Sequence, residues 1–170
     1  MPVADPVSLP ASAGSVCWTG RVGPDDIDEN GHMNVRAYDR VLEEADTVFF
    51  HGLGWTPDYP HQTRRGFFRV EKHVRYQAEL LLGTAICATA RIIETDLKRF
   101  HLFFGLWNTE TGARSATMET LALHMDLDRR KAATMEPGPF AQVFLDLVQA
   151  QSGLPMPEGT GRNISTARRS

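Results

Sequence analysis

Cysteine is scarce in this 170-residue chain, which has only Cys17 and Cys87. One candidate pair makes no disulfide framework. Cys87 sits in an apolar, strand-like run and Cys17 beside Trp18, so buried free thiols are expected, as in a reducing cytoplasm. Long apolar runs are also missing: none approaches the ~18–20 residues of a membrane-spanning helix. Met1 to Ser15 lacks the basic start and apolar core of a secretory signal and reads as a flexible tail. Neither sign of charge dominates, with 18 Lys and Arg against 21 Asp and Glu. A net charge of −3 gives no electrostatic footprint for nucleic acid or an anionic membrane. There is no H-E-x-x-H, no clustered Cys/His spacing, no G-x-S-x-G elbow and no glycine-rich phosphate loop. Those absences argue against a metal site, a serine-elbow hydrolase and a nucleotide fold. No internal repeat is visible.

What is present concentrates between Asp25 and Trp55. A polar run, Asp28-Glu29-Asn30-Gly31-His32-Met33-Asn34, precedes a segment of helical period. Val35, Tyr38, Val41, Leu42, Ala45, Val48 and Phe49 form an apolar stripe, with Asp39, Arg40, Glu43, Glu44 and Asp46 on the other face. Asn34 suits the N-cap and Gly52 the stop. A helix start presents unpaired N–H groups and partial positive charge. Such donors suit an oxyanion, and an adjacent carboxylate suits activation of water on a carbonyl substrate. The same residues, Asp28, Asn30 and Asn34, also suit a plain turn and cap.

The rest of the chain alternates like strands. Val16–Val22 is a short strand. Residues 56–65 read as a turn-rich connection and a flexible basic loop. Phe67 to Gln77 has period two, with Arg69, Glu71, His73 and Arg75 on one parity. Thr84–Glu94, Phe100–Trp107 and Ala113–Leu127 follow, joined by turns at Asp96–Arg99 and Asn108–Gly112. The Phe100 strand is apolar on both parities, as for a central strand covered twice. A short amphipathic helix follows Pro137 and Pro139. The reading is α+β: an antiparallel sheet of about five strands on one long helix, with a domain over 16–151. The Gly/Pro/Ser/Arg-rich stretch 152–170 is expected to be a disordered tail. One helix covers one sheet face, so a second copy is the economical cover for the other.

This order, with Asp28, Asn30, Gly31, His32, Asn34 and Tyr38 in place, resembles the hotdog-fold acyl-CoA thioesterases of the 4-hydroxybenzoyl-CoA thioesterase-like branch. A second block, Glu71-Lys72-His73-Val74-Arg75-Tyr76 with Glu79 and Gly83, is similar to the betainyl-CoA thioesterases of carnitine catabolism. So is a third, Ala116-Thr117-Met118-Glu119 with Leu123-His124-Met125-Asp126. The resemblance spans about residues 16 to 150. It implies a hotdog subunit, its sheet wrapped around the long helix. It further implies a homodimer or homotetramer with active sites at the subunit interface, and a hydrolase needing no cofactor or metal. The substrate is then a short acyl-CoA, with betainyl-CoA as a candidate. An aromatic or medium-chain acyl-CoA, or a non-catalytic acyl-CoA-binding module, is the alternative.

By that resemblance Asp28 is the catalytic carboxylate, and the amides of Met33, Asn34 and Val35 polarise the thioester carbonyl. Asn30 orients water or substrate, His32 bonds substrate or tunes Asp28, and Glu71 is a second base from across the interface. Tyr76, Trp55 and Phe67, with Tyr59 and Trp107, are candidates for a pocket that takes a cationic acyl group. Arg64, Arg65, Lys98 and Arg99, all in loops, are candidates for the phosphates of CoA.

Overall fold

The computed structural model describes residues 9–162 and 164. Six strands form one antiparallel sheet: β1 (Ser15–Arg21), β2 (Arg65–Tyr76), β3 (Ala85–Thr95), β4 (Arg99–Asn108), β5 (Arg114–Asp126) and the two-residue β6 (Lys131–Ala132). The spatial order is β1-β3-β4-β5-β2, with β6 pairing β5. The long helix α1 (Val35–Gly52) lies in the concave face, α2 is Tyr59–Thr63 and α3 is Pro139–Gln151. The stretch read as turn and flexible loop thus holds α2, whose C-cap Arg64 adopts a left-handed conformation and leads straight into β2.

The apolar stripe of α1 faces the sheet, with one adjustment. Tyr38, Val41, Leu42, Ala45 and Phe49 are buried, joined by Ala37 and Phe50. Val35 and Val48, expected in the stripe, are 58% and 43% exposed. Against the helix stand Ile86, Ala88, Ala90 and Ile92 of β3, then Phe100, Leu102, Phe104 and Leu106 of β4. An 18-residue helix is about 27 Å long, enough to cross the whole sheet. α3 closes the far end by inserting Phe144 among Phe50, Phe67, Phe100 and Phe140. No helix among the described residues is long and apolar enough to cross a membrane.

The two thiols are unbonded, and burial pushes Cys17 up to about 12. The convex face carries cover from this same chain. Ala13 and Leu9 pack on Cys87 and Trp107. Residues 152–162, expected to be disordered, lie along that face instead. Arg91, 4% exposed, donates to the carbonyls of Gln151, Leu154 and Pro155. The Gly161 amide donates to the Glu119 carboxylate at 2.9 Å. Glu158 pairs with Arg114 at 3.5 Å. A composition poor in apolar residues hid this, because backbone groups and one buried arginine make the contacts. The expectations for residues 1–8, 163 and 165–170 lie outside the described residues.

Phe144 is fully buried and its ring anchors α3. Phe144→Ala should cost about 3–5 kcal/mol of unfolding free energy, read as a lowered midpoint in urea with unchanged slope.

Candidate functional site

The polar run folds into a hairpin-like loop docked on the start of α1. Asp28 N–H donates to His32 O and Gly31 N–H to Asp28 O, each at 3.0 Å. Gly31 has φ +85°, a conformation open to glycine and costly for most side chains. The Asp28 side chain closes the turn by accepting from the Asn30 amide at 2.9 Å. Its other oxygen lies 3.8 Å from His32 Nδ1. Asn30 itself is exposed and its side chain has no hydrogen bond among the described residues.

Asn34 is the N-cap, its side chain accepting from Ala37 N–H at 3.0 Å. Its backbone N–H and Nδ2 both donate to Asp26 O, at 2.8 and 2.9 Å. The Asp26 carboxylate accepts from Gly23 N–H at 2.9 Å and from Arg40 at 2.7 Å. Burial works against its ionisation, but those two donors outweigh it and hold the carboxyl below its usual range. Met33, 1% exposed, donates its N–H to Leu80 O at 2.8 Å. Two of the three amides expected to receive an oxyanion, Met33 and Asn34, are therefore already committed. Among the described residues the N–H groups left without an acceptor are those of Val35 and Arg36 in the first turn.

A cleft of about 280 Å³ opens at this helix start, lined by His32, Val35, Tyr38, Tyr76, Gln77 and Glu79, among others. The Tyr38 hydroxyl donates to Ala78 O at 3.0 Å. Burial, with the nearby Glu79 charge adding to it, pushes the Tyr38 phenol up to about 12. The Tyr76 ring meets Tyr38 edge-on at 5.4 Å and is half exposed. Asp28 does not line the cleft; His32 stands between.

The other expected site residues separate into three groups. Glu71 lies on the convex face, with His73, Glu94, His101 and Glu119 around a second cavity. His101 Nε2 is 2.7 Å from Glu119 Oε1. A β-bulge between Arg69 and Glu71 breaks the expected row, since an extra residue reverses the facing of the residues beyond it. Arg69 therefore turns to the helix and pairs with Glu43 and Asp46. Trp55 and Phe67 line a separate cavity with Asp46 and Arg69. Trp107 is buried, bonded to Thr89, and Tyr59 packs on Phe140. Of the aromatic candidates, only Tyr76 reaches the cleft.

The basic candidates sit at the opposite end of the sheet. β2 runs from Arg65 to Tyr76, roughly 36 Å at ~3.3 Å per residue. Arg64 pairs with Asp128, Arg65 with Asp126 and Arg99 with Asp96; Lys98 lies in that same turn. What sequence reasoning missed at the cleft was Glu79 as a wall residue and Arg36 as an amide donor. Glu79 was visible only as a letter in a motif, and the Arg36 amide has no side-chain signature.

Asp46 makes the stability of the fold depend on pH. Burial pushes its carboxyl up to about 6, with Arg69 opposing and Glu43 adding to the shift. Between about pH 4 and pH 6 the folded chain holds a proton that the unfolded chain has lost, so stability falls as pH rises through that window. An asparagine side chain at this position cannot titrate. The stability of Asp46→Asn relative to the parent should rise by about 1–3 kcal/mol across that window and stay level on either side, measured by denaturation at a series of pH values.

The thioesterase-like superfamily pattern matches residues 22–152. A betainyl-CoA thioesterase of Pseudomonas aeruginosa is 28% identical over 141 residues, 83% of this chain and 88% of that protein. An L-carnitine dehydrogenase/betainyl-CoA thioesterase of a Rhizobium species is 29% identical over 142 residues. That match takes in 84% of this chain but only 28% of the relative, so the chain corresponds to less than a third of that protein's length. Among solved structures, a Staphylococcus aureus protein in complex with CoA superposes with a TM-score of 0.83 at 24% identity, covering 91% of this chain and 97% of that one. A 1,4-dihydroxy-2-naphthoyl-CoA thioesterase from Synechocystis gives 0.66 at 15% identity, over 78% and 93%. With its curled sheet, central helix and polar loop at the helix start, the chain is a hotdog protein and belongs to the thioesterase-like superfamily.

Proposed function

We propose that this chain hydrolyses an acyl-CoA thioester to the free acid and CoA. One observation carries the reading: two unclaimed amides, Val35 and Arg36, sit where a helix begins beside an open cleft, with a carboxylate one imidazole away. The thioester carbonyl oxygen accepts from those N–H groups, which have no carbonyl of the preceding turn to bond. Negative charge then grows on it as water adds to the carbon, and fixed donors stabilise the oxyanion without reorganising. The proton of that water passes to the His32 imidazole, which lines the cleft, and Asp28, 3.8 Å from Nδ1, takes up the positive charge or the proton from its far side. When the tetrahedral adduct collapses, the C–S bond breaks, the sulfur leaves as thiolate and the proton returns to it.

The short acyl group of betaine is the favoured substrate, supported by the names of the sequence relatives. A homodimer or homotetramer is part of the proposal. Among the described residues the outer edge of β2 has no partner strand, and it offers unpaired backbone groups over 12 residues. Val70, Leu81 and Leu82 are exposed nearby in sequence. Glu71, and the cations Arg64, Arg65, Lys98 and Arg99, reach the cleft at a helix start only if a two-fold partner brings them to it. The reaction is placed in the cytoplasm and assigned no cofactor.

A non-hydrolytic acyl-CoA-binding module is the rival, and one feature favours it: the Asp28 side chain is occupied by its own turn. Free-thiol release from a panel of acyl-CoAs decides between them. Asp28→Asn should lower turnover on the best ester by about 10²–10⁴-fold, the range for a lost general base, with the thermal midpoint within a few degrees. Full turnover in that variant would rule out the mechanism. Binding without thiol release across the panel would favour the module.

A further inference from the structure

The cleft wall carries a negative charge that hydrolysis of a neutral ester does not need. Glu79 is exposed, lines the cleft and has no ion pair among the described residues. It is not on a loose loop. On one side of it Ala78 O accepts the Tyr38 hydroxyl at 3.0 Å; on the other Leu80 O accepts Met33 N–H at 2.8 Å. Leu80, 1% exposed, anchors the segment in the core. The backbone that presents Glu79 is thus tied to the helix start from both neighbours.

Two tyrosines complete that wall. Tyr38 and Tyr76 meet in a T-shaped contact, and half of Tyr76 stays exposed beside the cleft. A ring face attracts a cation, most strongly one that gives up little hydration, as a quaternary ammonium does. The positive end of α1 works the other way: it draws the carbonyl oxygen but repels a cation. In a betaine ester the ammonium nitrogen is only two bonds from the carbonyl carbon. A negative charge on the cleft wall itself, nearer the acyl group than Asp28 behind His32, offsets that repulsion.

We infer that Glu79, with the exposed face of Tyr76 that Tyr38 supports from behind, is the specificity element that reads a positive charge on the acyl group. This deepens the thioesterase reading and rests on it. The recognised class is an acyl-CoA whose acyl chain bears a quaternary ammonium on the carbon next to the carbonyl. Hydration of such a cation is weak, so an exposed carboxylate and an aromatic face suffice without a closed cage.

A pair of isosteric esters tests it. Betainyl-CoA and 3,3-dimethylbutanoyl-CoA differ by a nitrogen cation in place of a quaternary carbon, with the same shape. The parent chain should prefer the cationic ester in kcat/KM. In Glu79→Gln the ratio of cationic to neutral kcat/KM should fall about two- to fivefold, as for loss of one close, solvent-screened charge pair. Tyr76→Phe should keep the ratio within about twofold, and Tyr76→Leu should lower it by about three- to tenfold. Raising ionic strength should erode the parent's preference but not that of Glu79→Gln. An unchanged ratio in Glu79→Gln, or equal losses on both esters, overturns the assignment; the second outcome would make Glu79 part of the hydrolytic machinery. No thiol release from either ester by the parent chain would instead remove the substrate reading on which the assignment rests.

Discussion

One carbonyl oxygen organises the polar loop and the start of the long helix. Asp26 O accepts both the backbone N–H and the side-chain Nδ2 of Asn34, while Asn34 Oδ1 caps the helix through Ala37. With Met33 N–H held by Leu80 O, the helix start cannot shift without breaking several buried hydrogen bonds, each costly to leave unmade. The same bonds determine which amides remain free. Donors at Met33 and Asn34 are taken up by docking, and those at Val35 and Arg36 are without an acceptor among the described residues. Structure and proposed chemistry thus draw on one short inventory of N–H groups.

Electrostatics divides the helix along its length. Its middle is bridged to β2 by long ionic side chains: Arg69 to Glu43 and Asp46, and Lys72 to Asp39 and Glu43. Lys72 reaches Asp39 at 2.5 Å and Glu43 at 2.9 Å. Burial is most severe at Asp46, where the cost of desolvating a carboxylate outweighs the adjacent guanidinium. At the helix start the balance differs. Asp26 has enough donors to remain ionised easily, so the loop stays charged and fixed while the cleft beside it stays open.

Much of this is legible in the sequence because it is periodic or local. The 3.6-residue stripe of α1, its Asn34 cap, the strands and the helix after Pro139 all follow from side-chain patterns. The failures are nonlocal. Which amides are free depends on Leu80 O, 47 positions along from Met33 by their numbers. Strict alternation puts Glu71 on one face with Arg69, but the bulge inserted at that point has no residue signature. Trp55 and Phe67 are aromatic and near in sequence to the site, yet they line a different cavity. The loop cations lie away from this chain's own helix start for a topological reason: composition says that they are in turns, not at which end of the sheet those turns lie. The order of the stretch after Gln151 escapes composition because its anchors are carbonyls accepting from Arg91.

That stretch has a bearing on how copies of the chain can meet. From Gln151 it crosses the outer surface of the sheet as far as Glu119 on β5, roofing strands that would otherwise be bare. A neighbour stacked back to back would first have to peel this strip away and strand the Arg91 guanidinium without its carbonyls. The open flank of β2 presents no such obstacle, so growth sideways, extending the sheet from one molecule into the next, is the easier geometry.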